Sequence, residues 1–139
     1  MSVPVAVLLG FALWTLLSLF GSVGVYRWSR ILTRKQEIAS FRADRVEGAE
    51  WYQRAMRAHA NCVENLPVYG AIVLALVASG VASRGIDALA VILLAARVAQ
   101  TTVHVALPQT NPVVAVRFAF FLVQAVCMLA ISGILVAHL

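Results

Sequence analysis

Four long apolar runs divide the chain, and short polar segments separate them. The runs cover residues 3–26, 49–81, 87–107 and 113–138. A helix needs about 20 residues to cross the hydrocarbon core of a membrane, so each run is long enough to span it. Backbone in lipid has to satisfy its hydrogen bonds internally, which favours helices. We therefore predict an all-α fold: an integral membrane four-helix bundle, built as a single domain over residues 1–139, whose second helix extends beyond the membrane.

The composition agrees with a membrane protein. Hydrophobic residues make up 62% of the chain and charged residues only 12%, whereas soluble domains are about 45–50% apolar and about 25% charged. No basic segment or cleavage site flanks the first run, so we expect a permanent span surrounded by membrane lipids. The cysteines, Cys62 and Cys127, lie far apart with no cluster of ligands, so no metal site is expected.

The charge distribution predicts the orientation. The net charge is +5, and six basic residues lie between the first two runs: Arg27, Arg30, Arg34, Lys35, Arg42 and Arg45. Basic loops remain in the cytoplasm, so we place this first loop there. With four spans, the third loop is then also cytoplasmic, and both termini lie on the opposite side. Because the basic residues border a membrane span, a nucleic-acid partner is not expected.

Polar residues enter the second span on one side of the helix. The segment "RAMRAHANCVENLPVYG" covers residues 54–70. At about 100° per residue, its polar side chains fall within about a third of the helix circumference. They are Arg54, Arg57, Asn61, Glu64 and Asn65. His59 points roughly the other way.

The third and fourth spans repeat this pattern. Arg97, Gln100, Thr101 and His104 have the spacing of one helical face. Arg97 is expected near mid-membrane and His104 nearer the cytoplasmic end. In the fourth span, Arg117 lies about one turn inside the membrane, and Gln124 follows on nearly the same side. We expect the polar faces of three helices to meet in the cytoplasmic half of the bundle.

The arginines predict a cavity for an anion. An arginine at the centre of a lipid-facing helix costs about 2.5 kcal/mol or more. Glu64 is the one carboxylate inside the membrane boundary, so Arg57, Arg97 and Arg117 would leave excess positive charge in one cavity. Two other interpretations remain open. The polar groups can simply hold helices together, or long side chains can reach the interface, and His104 fits either a cavity or an interface.

The motifs resemble a known family. "RAMRAHANCVENLPVY" resembles the second-helix signature of the MAPEG family, the membrane-associated proteins in eicosanoid and glutathione metabolism. The match lies at Arg57, Ala58, His59, Asn61, Glu64, Asn65 and Pro67. "AARVAQTTVHVA" and "NPVVAVRFAFFLVQ" resemble the third and fourth helices of that family. Within the family, the chain is similar to bacterial-type microsomal glutathione transferases.

The resemblance implies a homotrimer with glutathione as co-substrate, bound between subunits near the cytoplasmic side. It implies glutathione transferase or glutathione peroxidase activity on a hydrophobic small molecule that enters from the bilayer. Arg117 would be the catalytic residue, favouring the thiolate. The residues that would bind glutathione are Arg57, Asn61, Glu64, Arg97 and His104.

Three positions differ from the eicosanoid-forming members. Ala60 stands where those enzymes often have an arginine, and Phe121 and His104 stand where a tyrosine is common. These differences favour a general glutathione transferase over a prostaglandin or leukotriene synthase. They also leave a second interpretation open, a non-catalytic lipid-binding or scaffold protein with the same fold.

The orientation is testable by labelling. A cysteine placed at Ser40 should react with a membrane-impermeant thiol reagent only after the cells are opened, because the basic loop is expected in the cytoplasm. Labelling of Ser40→Cys in intact cells would reverse the orientation and move the polar cavity to the other leaflet.

Overall fold

Four long helices form the protein in a computed structural model that describes residues 1–138. They are α1 (Val3–Leu32), α2 (Glu50–Ser79), α3 (Arg84–Ala106) and α4 (Asn111–Ala137). All four are long and apolar enough to cross a membrane. A short 3₁₀ turn, Ile38–Ser40, lies in the loop after α1, and residues 1–138 contain no strand. The predicted all-α membrane bundle is confirmed.

Helix α1 is longer than the sequence predicted. It continues six residues past the expected end at residue 26, so Arg27 and Arg30 are helical rather than part of the loop. The segment "VYRWSRIL" contains no glycine or proline to end the helix. A π-helical turn at Phe20–Gly24 precedes it, and Val23 and Tyr26 are still buried on the side of α2.

Local capping explains two other boundaries, the end of α2 and the start of α3. Helix α2 ends before Gly80, which has a φ of +67° and so adopts the left-handed conformation that glycine tolerates best. Helix α3 begins at Arg84, three residues earlier than expected, because Ser83 caps it: the N–H of Ile86 donates to Ser83 Oγ at 3.2 Å. Helix α4 begins at Asn111, two residues before the predicted start.

Helix α3 is the centre of the bundle. It packs against α1, α2 and α4, and its contact with α4 is the most extensive. The apolar core fills the end of the bundle opposite the basic loop, with members from all four helices: Val7, Phe11, Cys62, Tyr69, Val73, Leu76, Ile86, Ala90, Leu93, Cys127, Ile131 and Leu135. Large apolar side chains such as Leu74 and Leu129 remain exposed on the outside, as expected where lipid replaces water.

An aromatic cluster closes the other end of the bundle. The ring of Tyr26 stacks on Tyr52 with 4.1 Å between centroids, and Trp51 meets Tyr26 edge-on at 5.5 Å. Arg27 Nε donates to Tyr52 Oη at 2.9 Å, and the N–H of Ala49 donates to Tyr26 Oη at 3.3 Å. These contacts fasten the end of the first loop to α1 and α2.

Gly48 is the point where the loop turns into α2. Its φ of +133° is a conformation that other residues rarely adopt, and a Cβ added there would collide with the Tyr26 ring. The loop therefore needs glycine at this position for both backbone and space.

We expect Gly48→Ala to destabilise the protein by about 1–3 kcal/mol, because it adds backbone strain and displaces Tyr26. Thermal unfolding in detergent measures the effect. Gly133→Ala is the matched control, because position 133 is helical and has open space around it. Equal melting temperatures for the two variants would mean that the aromatic cluster does not depend on the turn.

Candidate functional site

A layer of buried polar side chains lies between the apolar core and the aromatic cluster. Its members are Arg97, Gln100, Thr101, His104 and Gln124. Gln124 Nε2 donates to Gln100 Oε1 at 3.0 Å, and Gln100 Nε2 donates to the main-chain carbonyl of Arg117 at 3.0 Å. These bonds tie α3 to α4 inside the membrane-spanning region, where unpaired polar groups would be costly.

A cavity of about 280 Å³ opens beside this layer, between α2, α3 and α4. We call it the Arg117 cavity. The residues that line it are Asn61, Glu64, Asn65, Gln100, Val114, Arg117, Phe118 and Phe121. Amide, carboxylate and guanidinium groups cover part of its wall, and aromatic rings cover the rest. Such a wall suits a ligand with charged groups and an apolar neighbour.

The charged groups of the Arg117 cavity are unpaired. Arg117 Nε is buried and has no hydrogen-bond partner, and no carboxylate within residues 1–138 forms an ion pair with Arg117 or any other intramembrane arginine. Glu64 is exposed. The Glu64 carboxylate and the terminal nitrogens of Arg117 are therefore available to a ligand or to a neighbouring protein surface, whereas Arg117 Nε is enclosed.

Arg57 lies in a different hollow. Its Nη1 donates to Gln109 Oε1 at 2.8 Å, and the hollow, of about 310 Å³, is lined by Glu50, Gln53, Arg54, Arg57, Pro108 and Gln109. Arg54 donates from Nε and Nη2 to the main-chain carbonyl of Val105, at 3.3 and 3.2 Å. The two arginines thus join the start of α2 to the end of α3 and the loop that follows.

Arg97 lies in the protein interior rather than in either hollow. Its side chain is only 1% exposed, and its guanidinium carbon lies 5.2 Å from the centroid of the Phe11 ring. Cys62 is its neighbour on α2. Nε and Nη2 of Arg97 have no hydrogen-bond partner in the structure.

The two histidines of the spans also lie outside both hollows. His104 is buried and lies within electrostatic range of Arg54, Arg57 and Arg117. The sequence left a cavity and an interface open for His104, and the structure places its side chain in the interior of the subunit. His59 is half-buried on the other side of α2, as expected from its angle.

The structure corrects one expectation about the site. It brings Asn61, Glu64 and Arg117 together, as predicted, but Arg57, Arg97 and Arg117 do not share one cavity. The orientation of α3 about its axis points Arg97 towards Phe11 of α1. Arg57 instead forms a hydrogen bond with Gln109 in the loop after α3. The proposed glutathione-binding roles of Arg57, Arg97 and His104 stay predictions.

Several residues of the site were not among the predicted ligands. Asn65 and Gln100 line the Arg117 cavity, and their positions on the polar stripes were the signal for them. Phe118 and Phe121 line it as well, one and four residues after Arg117. Gln109 lies in a loop, where no periodicity could indicate it.

An apolar groove of about 310 Å³ lies on the far side of α3, between α1 and α3. Its walls are formed by Trp14, Leu17, Ser18, Gly21, Ser22, Thr101, Thr102, Val105 and Ala106. Gln100 faces the Arg117 cavity, whereas the α3 residues of the groove centre roughly 170° away at 100° per residue. One subunit thus holds an apolar groove and a polar cavity on opposite sides of the same helix.

The comparison with protein families identifies the chain. The model of the MAPEG family matches residues 5–137, nearly the whole length. The chain belongs to the MAPEG family. No curated protein and no solved structure matched this MAPEG protein. No group of side chains within the described residues could hold a metal ion.

The burial of Arg97 leads to a test of its energetic role. Replacing a buried charge by a hydrophobic side chain of similar size is often neutral or stabilising. We expect Arg97→Met to keep or raise the melting temperature of this MAPEG protein. Arg97→Ala should lower stability by about 2–5 kcal/mol, because it leaves a cavity. Thermal unfolding of both variants in detergent provides the comparison, and an Arg97→Met variant as unstable as Arg97→Ala would mean that the guanidinium itself stabilises the bundle.

Proposed function

We propose that this MAPEG protein is a membrane-bound glutathione transferase that conjugates lipophilic electrophiles, or reduces lipid hydroperoxides, with a glutathione thiolate. The observation that carries the proposal is the Arg117 cavity, where an unpaired guanidinium lies in one space with Asn61 and Glu64. Its family includes glutathione transferases, which supports the same activity.

Arg117 has the chemistry to favour a thiolate. A free thiol has a pKa of about 8.5, so little of it is ionised at neutral pH. A cation at hydrogen-bond distance in a partly dry site lowers the pKa of such a thiol. Arg117 lines the cavity, and its side chain makes no ion pair within residues 1–138. Its terminal nitrogens, rather than the buried Nε, would donate to a bound thiolate. The thiolate would then attack the electrophile from beside the aromatic wall.

The other groups match the ends of glutathione. Glutathione carries two carboxylates and one ammonium group. Glu64 would accept hydrogen bonds from the ammonium group, and Asn61 would bond a peptide amide. The neighbouring hollow with Arg54 and Arg57 would attract a carboxylate. His104 and Arg97 are buried outside the cavity, so we assign them no direct contact with glutathione.

We propose that the working form is a homotrimer with glutathione between subunits. The Arg117 cavity, about 280 Å³, lies at the lower end of ordinary ligand pockets, about 300–1,000 Å³. Glu64, Phe118 and Phe121 are exposed at its mouth, so a neighbouring subunit is needed to enclose a tripeptide. The groove on the opposite side of α3 would supply the apolar surface of that neighbour.

A second function rests on the apolar groove. Trp14, Leu17 and Val105 form walls with no charged side chain among the lining residues, and Phe121 brings no hydroxyl group to the Arg117 cavity. A non-catalytic protein that binds a lipid in the groove would need no thiol chemistry. Conjugation of an aryl halide with glutathione distinguishes the two functions, because only the transferase catalyses it.

We also propose that the first and third loops face the cytoplasm, with both termini on the opposite side. The basic residues at the end of α1 and in the following loop support this orientation. It places Arg54, Arg57 and the mouth of the Arg117 cavity near the cytoplasmic surface, where a water-soluble tripeptide could enter.

Arg117→Ala tests the proposed chemistry. We expect conjugation to slow by roughly a hundredfold, the lower end of the loss expected when one electrostatic stabiliser is removed. Glutathione binding should fall much less, because Asn61 and Glu64 remain. The ultraviolet absorbance of bound thiolate should appear at higher pH, since the cation that favours the charged form is gone.

Two controls accompany this variant. Arg117→Lys should restore part of the rate, because a lysine keeps the charge and lacks the planar fork of arginine. Arg84→Ala removes an exposed arginine at the opposite end of the bundle and should leave the rate unchanged. Full activity with an unshifted thiol titration in Arg117→Ala would refute the thiolate assignment and leave Arg117 as an interface residue.

A further inference from the structure

The end of α1 holds cations that have no acidic partner. Of the six basic residues in this region, Arg27 is fixed against Tyr52 and the Phe41 ring. Arg42 and Arg45 form ion pairs with Asp44 and Glu47. The three that remain are Arg30, Arg34 and Lys35, which make no ion pair with any described residue. Arg30 donates to the amide oxygen of Gln36 at 3.0 Å and lies over the Tyr26 ring, 5.5 Å from its centroid. These contacts hold the side chain in place but leave its charge without an acidic partner.

Arg34 adopts a conformation that would suit glycine better. Its φ is +56°, the only positive value at a non-glycine residue within residues 1–138. Arg34 N donates to the carbonyl of Ile31 at 3.0 Å, and Lys35 N donates to that of Arg30 at 2.9 Å. These bonds end α1 in the left-handed cap that glycine usually occupies. Across the described chain, no hydrogen bond from the Arg34 side chain offsets this strain, so its guanidinium remains free to bind a ligand.

The surroundings of Arg34 combine charge with apolar surface. A hollow of about 720 Å³ is lined by Ile31, Arg34, Lys35, Gln36, Glu37, Ile38 and Ser40. Glu37 is the one acid among the lining residues, so positive charge is in excess. Trp28, Leu32 and Ile38 are 60%, 74% and 71% exposed. A lipid would gain from contact with exposed apolar side chains beside the charged hollow, whereas inorganic phosphate would not.

The position along α1 matches the headgroup region. The apolar run ends at Tyr26, and Arg34 follows about 12 Å further along the axis, at about 1.5 Å per residue. Long arginine and lysine side chains can reach back towards the membrane from there. Trp28 lies just past the end of the run, where tryptophan is enriched at membrane interfaces.

We propose that the end of α1 binds the headgroup of an anionic phospholipid. Arg34 and Lys35 hold the phosphate, Ile31 and Ile38 in the same hollow contact the glycerol and the first carbons of the acyl chains, and Arg30 adds positive charge one turn before Arg34. Basic clusters next to a span attract anionic lipids. The left-handed backbone of Arg34 fixes the position of its side chain within this cluster. The site does not depend on glutathione chemistry, since it shares no residue with the Arg117 cavity.

The test uses Trp28 as the reporter. In a Trp14→Phe, Trp51→Phe background, Trp28 is the one remaining tryptophan. The protein is reconstituted in phosphatidylcholine vesicles with brominated phosphatidylglycerol or brominated phosphatidylcholine as quencher. We expect phosphatidylglycerol to quench Trp28 more strongly at equal mole fraction. Arg34→Gly should lower this preference by about fivefold, the contribution of one basic residue near the surface.

The choice of glycine separates binding from folding. Glycine suits the left-handed position, so Arg34→Gly should keep or raise the melting temperature while it weakens lipid selectivity. Arg84→Gln removes the same charge at the other end of the bundle and should leave the preference of Trp28 unchanged. Equal quenching by both lipids in the parent protein, or equal loss in the two variants, would overturn the proposal. So would displacement of phosphatidylglycerol by millimolar inorganic phosphate, since the site would then bind free phosphate.

Discussion

The desolvated guanidinium of Arg97 constrains the whole bundle. A buried cation is costly unless polar groups or a ring face accept it, and no carboxylate of residues 1–138 pairs with it. The structure places it over the Phe11 ring and beside Cys62, so α1, α2 and α3 all have to meet around one side chain. Arg97 lies on the helix that packs against all three others, and it belongs to the polar layer that interrupts a core otherwise apolar.

The same layer sets the geometry of the candidate site. Gln100 forms hydrogen bonds both with Gln124 and with the main-chain carbonyl of Arg117. These bonds fix the register of α4 against α3, because a shift of either helix would leave amide groups unpaired in the membrane. That register places Arg117 opposite Asn61 and Glu64. The main-chain position of Arg117 beside the cavity therefore follows from hydrogen bonds made in the interior.

Sequence reasoning predicted the parts of this arrangement that depend on length and period. The four spans and the three polar stripes are predicted by the length and the periodicity of each helix considered alone. The sequence could not show that Arg97 faces the interior while Arg117 faces the cavity. Those directions depend on how α3 and α4 are rotated about their axes in the bundle. The partner of Arg57, Gln109, comes from an aperiodic loop. The extension of α1 was missed because charge was taken to mark a loop, whereas Arg27 continues the helix by packing on Tyr52.

A single subunit leaves polar groups of both signs unsatisfied. Unpaired nitrogens of Arg97, His104 and Arg117 face inward, while Glu64 is exposed on the outside of α2. The apolar groove and the polar cavity lie on opposite sides of α3. An interface between two different surfaces generates a ring only when the rotation between copies closes. The proposed homotrimer would therefore bring an apolar wall to each Arg117 cavity, and an anionic ligand there would supply the acceptor that Arg117 lacks.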